Sequence, residues 1–368
     1  MTSPALAAPL RIRSVSCTPI EVPLRYVLGT SAATVRAAPL LLVDLHTEEG
    51  VTGRSYVFAY RRSGAKAIAL LLQDAVEVVA GDAVAPLVVA AKLQRRFALL
   101  GVTGAARMAL SALDMALWDA LAISLGQPLV RVLGGTPRPV RAYNSCGLGL
   151  MAPQAAAGEA EALLDGGFQA VKLRLGYPTL AEDLAVTRAV RKRLPDAVQI
   201  FVDYNQALSR FDALARGRAL QSEGVAWLEE PIRHDDLESS AEIARTLDLP
   251  VQIGENFDGP KDLLRAIQAQ ACDLAMPDVA RIGGVTGWMQ AAGIAEAHGI
   301  PLSSHLMPEV SAHLLAATPT GHWLEYVDWT DAIAAQPVKI VDGCWPIPQR
   351  PGTGLEWDAS AVERYRIQ

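Results

Sequence analysis

Three acids recur at an even interval in the second half of the chain: Asp203 in QIFVDYNQ, Glu229 in AWLEEP and Glu255 in VQIGEN, each 26 residues from the next. Each closes a short, apolar, strand-like run. An interval of roughly 25 residues is one β-strand plus one helix with their loops, the repeat of a parallel α/β barrel, whose strands deliver their C-terminal ends to one mouth. Three carboxylates meeting there are hard oxygen ligands, which suit Mg²⁺ better than Zn²⁺ and accept Mn²⁺ as a substitute. The competing reading is three unrelated rim acids, and the regular interval argues against it.

Other polar residues fall at the same strand ends. Lys172 and Arg174 in AVKLRLG are two apart and share one side of an otherwise apolar strand. Asp203 and Asn205 share a face in the same way. Glu229 and Glu230 are adjacent and point to opposite sides, so only one of them is a direct ligand. LAMPD offers Asp278, PLSSH offers His305 and WLE offers Glu325. A carboxylate beside an imidazole fixes its tautomer and raises its basicity, so Asp278 and His305, at neighbouring strand ends, make a general base. Glu325 is either a fourth metal ligand or, kept protonated by burial, a hydrogen-bond donor to a developing oxyanion. A divalent cation, an acid and a base together suit removal of a proton α to a carboxylate.

These groups need a scaffold. Beyond GGTPRP at 134–139, strand candidates at 140–146, 169–176, 198–205, 226–230, 250–255, 273–278, 301–305 and 323–327 alternate with helical stretches at 181–193, 208–222, 236–247, 259–269, 284–298 and 309–317. That alternation predicts a (β/α)₈-type, modified TIM barrel over 139–327. Before it, strand candidates at 11–22, 39–46 and 50–57 precede helical patterns such as 106–125, which predicts an α+β capping domain over 1–138. Residues 328–368 carry no further repeat and are expected to pack back on the cap.

The bulk properties fit an enzyme. The chain has 368 residues, is 51% hydrophobic and carries a net charge of −6. It is long enough for a barrel and a partner domain, and its charge argues against a nucleic-acid binder. No run reaches the length of a membrane span, and MTSPALAAPLRIRS lacks the apolar segment of a signal peptide. Cys17, Cys146, Cys272 and Cys344 have neither metal nor disulfide spacing, so a reduced cytoplasm is the expected location.

SYVFAY at 55–60, LDMALWDAL at 113–121, VDYNQ at 202–206, WLEEP at 227–231, AMPDVARIGGVTGW at 275–288, SSHL at 303–306 and SAHLLAATPTGHWLE at 311–325 together resemble the mandelate racemase subgroup of the enolase superfamily, over nearly the whole chain. The resemblance implies Mg²⁺ at Asp203, Glu229 and Glu255 with Asn205 nearby, a His305–Asp278 base on one face, and Glu325 as electrophilic acid. It also implies Lys172 and Ser145 close to the substrate carboxylate, a mobile lid around 28–36, a small-molecule carboxylate substrate and a homo-oligomer. Leu28, Ala32 and Val35, with Tyr60, would give that lid an apolar wall, whereas Arg36 and the pair Arg61–Arg62 would suit a distal carboxylate or hydroxyls.

One position departs from the pattern. Members that racemise carry Lys-x-Lys on the second barrel strand, and here the motif is Lys172-Leu173-Arg174. Arginine does not readily accept a proton. The expected activity is a racemase or epimerase of 2-hydroxy acids. Dehydration of a sugar acid with His305 as the single base is the alternative, and a non-catalytic binding barrel is the rival from another class.

Overall fold

The computed structural model describes residues 10–31 and 33–367, so the lid candidate Ala32 lies outside the described residues. The cap is an antiparallel sheet in the order β1 (Ile12–Gly29), β2 (Thr34–Thr47), β3 (Thr52–Phe58). β2 is central, and its run from Ala38 to Val43 is buried throughout, as an apolar strand covered on both faces should be. Strands β1 and β2 run well past the predicted ends at 22 and 39. They continue as a hairpin arm, with a register shift between Pro23 and Leu28, and Gly29 and Ser31 near its end reach the barrel. Along the arm Leu24, Tyr26 and Leu28 are half-buried while Pro23, Arg25 and Val27 between them are exposed, the alternation of a strand with one covered face.

Helices 62–79, 86–96 and 104–124 cover the sheet. The last is Ala/Leu/Met-rich, a composition that costs little side-chain entropy in a helix, and Gly53 of β3 lies flush against it. A Cβ on Gly53 would stand 2.8 Å from Ala120 N and closer still to Ala116 O. Two buried acids on this helix tie the parts together. Asp114 accepts from Thr286 N at 2.9 Å and Thr286 Oγ1 at 2.5 Å, and Asp119 accepts from Arg54 N at 2.8 Å and Thr353 N at 2.6 Å.

The barrel strands are β4 (Val140–Asn144), β5 (Ala170–Arg174), β6 (Gln199–Asp203), β7 (Val225–Glu229), β8 (Val251–Ile253), β9 (Leu274–Ala275) and β10 (Leu324–Tyr326), parallel in the order β10-β4-β5-β6-β7-β8-β9. The strand predicted at 301–305 is reduced to single bridges, Ala275 with Leu302, Asp278 with His305 and Leu302 with Gly321, which close the ring. Pro301 has no N–H to donate, but Ser303 N donates to Ala275 O and Ser304 N to Trp323 O, and Ser304 Oγ accepts from Glu325 N, so the segment is still held on both sides. Helices start where side chains cap them: Thr179 with a reciprocal Glu182, Ser209, and Asp236.

The bottom of the barrel is filled by aromatic rings. Tyr143, Phe201, Trp227 and Trp323 are fully buried, Phe201 stacks on Trp227, and the Arg141 guanidinium lies 3.7 Å over Trp323. The C-terminal segment touches both units. Its short strand β11 (Cys344–Trp345) runs antiparallel to β4, and Ile367 N donates to Pro19 O of β1 at 3.0 Å. Among the described residues no helix is long and apolar enough to cross a membrane.

Candidate active site

The C-terminal ends of β5 to β10 converge, as the spacing of the acids requires. Asp203, Glu229 and Glu255 offer carboxylate oxygens that all lie within 4.8 Å of one another. Asn205 donates its backbone N–H and Nδ2 to Asp203 at 2.7 and 3.0 Å, while its Oδ1 is buried with no hydrogen-bond partner. A gathered set of hard oxygen donors beside an unfilled amide oxygen fits a divalent cation such as Mg²⁺.

Charge makes the same point. Lys172 is the ammonium inside the cluster, 2.8 Å from Glu229, 2.7 Å from Glu325 and 3.4 Å from Asp203. Burial opposes its charge, but Glu229 and Glu325 outweigh burial and hold its pKa well above the usual range. Burial and the neighbouring acids still push Glu229 up to about 8 against the pull of Lys172. One ammonium shared by this many carboxylates does not keep them all ionised, and a cation at the triad would. Glu230 lies outside the triad, where Asn256 Nδ2 donates to both its oxygens at 3.1 and 2.9 Å and also reaches Glu255 at 3.2 Å.

On the other side of the mouth, His305 and Asp278 meet as expected. His305 Nδ1 is 2.7 Å from Asp278 Oδ2, and Nε2 faces Glu255 at 3.4 Å and Glu325 at 3.9 Å. Asp278 is held at its other oxygen by the N–H of Ala280, which it caps at 2.6 Å. Burial alone would lower the imidazole pKa, yet Glu255, Glu325 and Asp278 raise it to about 9. A cation taking up the charge of Glu255 would bring it down toward the range of a working base.

The sequence leaves Glu325 as a fourth metal ligand or a protonated donor, and the structure sets its carboxylate beside Lys172 and His305. Burial pushes it toward the neutral form, but Lys172 and His305, with the Leu306 N–H at 2.8 Å, hold it ionised and well below the usual carboxylate range. Ser145 Oγ donates to Glu325 at 2.7 Å and accepts from Arg174 Nη2 at 2.9 Å. The second arginine nitrogen, Nη1, donates to Gly147 O at 2.8 Å. Lys172, Arg174, Ser145 and Glu325 therefore form one connected chain of hydrogen bonds and ion pairs.

Tyr60 stands at the rim, with the Arg281 guanidinium 4.9 Å from its ring centre. Arg281 in turn donates to Asn256 Oδ1 at 3.0 Å. The sequence reading misses Asn256 and gives Arg281 no role, although one directly follows Glu255 and the other lies three residues after Asp278. Arg62, one of the candidate substrate arginines, is paired with Glu21 within the cap. Non-glycine residues with positive φ gather here: Tyr60, Leu148, Asn205, Gln206, Glu230, Leu306 and Met307. Such backbone is held only where surrounding contacts over-determine it, and it concentrates at functional sites.

Comparisons with known proteins agree with this geometry. The profile of the mandelate racemase/muconate lactonizing enzyme N-terminal domain matches residues 12–134, and that of the enolase C-terminal domain-like unit matches residues 155–361. The chain is 32% identical over 351 residues to 3,6-anhydro-alpha-L-galactonate cycloisomerase of Streptomyces coelicolor, covering 95% of this chain and 97% of that one. It is 30% identical over 348 residues to L-talarate/galactarate dehydratase of Salmonella typhimurium, covering 93% and 87%. An enolase from Bradyrhizobium, solved with magnesium and mandelic acid, superposes with a TM-score of 0.94 at 37% identity, covering 99% of this chain and 100% of that one.

Proposed function

Because this chain belongs to the mandelate racemase/muconate lactonizing enzyme family of the enolase superfamily, we propose that it removes the α-proton of a hydroxylated carboxylic acid with His305 as the single base and expels the β-oxygen, as a sugar-acid dehydratase does. The observation that carries this reading is the use made of Arg174. Its guanidinium nitrogens donate to Gly147 O and Ser145 Oγ, leaving the face opposite His305 without a proton acceptor at that position.

His305 Nε2 takes the α-proton, and the C–H electron pair moves into the carboxylate as an enediolate. That pair then returns to form a C=C bond as the β C–O bond breaks, and the proton on His305 leaves with the departing hydroxide as water. The resulting enol ketonises to a 2-keto-3-deoxy acid. Asp278 holds the imidazole in the tautomer that leaves Nε2 available. Asp203, Glu229 and Glu255 would hold Mg²⁺, which supplies Lewis-acid stabilisation of the carboxylate as its charge grows. Lys172 and Ser145 would bind and orient that carboxylate, and Glu325 would complete the hydrogen bonding to it. The polar rim of Asn205, Asn256 and Arg281 suits a hydroxylated chain, and two relatives carry the names of sugar-acid enzymes.

Racemisation or epimerisation of a 2-hydroxy acid is the second reading, favoured by the mandelic acid bound to the Bradyrhizobium protein. It requires Arg174 or another group to return a proton to the opposite face. Incubation with Mg²⁺ in D₂O and a panel of mandelate, galactarate, talarate, glucarate and gluconate, followed by NMR, separates the two. A 2-keto-3-deoxy product supports dehydration, whereas exchange with inversion and no product supports racemisation. Absence of both exchange and product across the panel counts against proton abstraction from these acids.

A further inference from the structure

Arg174 points into the barrel, yet its side chain and backbone serve the loop that follows β4. Nη2 donates to Ser145 Oγ at 2.9 Å, Nη1 to Gly147 O at 2.8 Å, and the backbone N–H to Leu148 O at 3.0 Å. Arg174 is 4% exposed, so water scarcely competes for these bonds. The loop needs them: Gly147 and Leu148 have φ of 57° and 45°, a left-handed pair that costs free energy at the leucine. A planar guanidinium spans two acceptors two residues apart, which the point charge of a lysine does not.

This loop is also where the cap hairpin lands. Leu150 N donates to Gly29 O at 2.9 Å. The backbones of Gly29 and Gly149 touch, so that a Cβ on Gly149 would lie 2.7 Å from Gly29 Cα and closer to its N and O. Beside them Ser31 Oγ donates to Tyr204 O, directly after Asp203, at 3.1 Å.

We propose that Arg174 is a positioning residue for closure of the cap hairpin: it shapes loop 145–150 into the surface on which Gly29 seats, and it aims the Ser145 hydroxyl at Glu325. The Lys-x-Arg motif thereby exchanges a second base for a latch. The docking contact stands by itself, and only its kinetic consequence rests on the proposed reaction. A seated hairpin keeps water from the enediolate while it exists.

The contact is asymmetric, which makes it testable. A Cβ on Gly29 meets nothing closer than Leu150 N at 3.5 Å, an ordinary contact, whereas on Gly149 it collides with the hairpin. Hydrogen–deuterium exchange by mass spectrometry, with Mg²⁺ present, compares peptides covering 26–36 and 145–151 with one covering 199–203. Arg174→Met and Gly149→Ala are expected to speed exchange in the first two by about tenfold or more and to leave the third unchanged. Gly29→Ala is expected to behave as wild type, and the double variant Arg174→Met/Gly149→Ala to exchange no faster than the faster single variant.

Wild-type protection of 26–36 in Arg174→Met overturns the proposal, as does equal loosening by Gly29→Ala and Gly149→Ala. For an acid turned over in the D₂O panel, Gly149→Ala should lower kcat/KM about tenfold. If no acid is turned over, the functional reading fails while the exchange comparison still decides the latch.

Discussion

Lys172 Nζ lies 2.7 Å from Glu325 Oε1 inside the barrel, where both side chains are out of reach of solvent. In the proposed reaction that ammonium turns to the substrate carboxylate, and Glu325 is then free to take up a proton. Until then Lys172 is the counter-charge that lets several buried acids share one cavity. Lys172→Met should therefore destabilise the protein in chelator by about 3–5 kcal/mol, the cost of stranding buried charge. Urea unfolding measures it, and a loss below about 1 kcal/mol would show that Lys172 does not neutralise the cluster.

Mg²⁺ should act on the same ledger of charge. At about 100 times its Kd it should stabilise the wild-type protein by roughly 2.7 kcal/mol, read as a rise in Tm. Glu255→Gln should lose most of that rise. An equal Mg²⁺ response in wild type and Glu255→Gln would remove Glu255 from the ligand set.

The base makes a sharper claim. His305→Asn keeps a polar side chain but has no imidazole to hold a proton, and α-proton exchange should fall by about 10²–10⁴-fold. Retention of wild-type exchange in D₂O would transfer the role to another group.

A second histidine predicts a pH dependence of stability away from the active site. His313 accepts from Val130 N at Nδ1, 3.2 Å away, and Nε2–H donates to Thr353 O at 3.1 Å, so the buried ring is neutral. Burial lowers its pKa from 6.5 to about 4, with the Thr353 carbonyl opposing. Below pH 6.5 the unfolded chain takes up the proton first. The stability from the neutral ring is thus full above that pH and drains away as pH falls toward 4, by about 2 kcal/mol between pH 7 and 5. Unfolding of wild type and His313→Gln at both pH values checks this: the difference between the two proteins should shrink at pH 5, and an unchanged difference contradicts it.

Much of this site is legible in the chain because barrel chemistry is periodic. The interval joining Asp203, Glu229 and Glu255 needs only the length of a β/α repeat, and the alternation within AVKLRLG puts Lys172 and Arg174 on one side. The structure departs where a residue is governed by neighbours distant in sequence. The partner of Arg62 is Glu21, across the cap, and the carboxylate of Glu325 is paired with Lys172, 153 positions earlier. The arm from Pro23 to Gly29 carries a short alternation, Leu24, Tyr26 and Leu28, that the prediction ending at 22 passes over. The seventh strand sits where PLSSH places it and its N–H groups bond to both neighbours, but the pairing is broken into isolated bridges. Asn256 and Arg281 lie next to recognised residues, yet only the folded mouth joins them to Tyr60.

The aromatic floor has a consequence for traffic. Tyr143, Phe201, Trp227 and Trp323 fill the lower end of the barrel, so exchange with solvent falls to the mouth, beside which Gly29 and Ser31 of the hairpin are bonded. Reactant, product and the water released must all pass the same threshold in turn. Turnover is then a matter of how often that mouth opens as well as how fast the proton moves, and a leaving product must clear the entrance before the next molecule can come in.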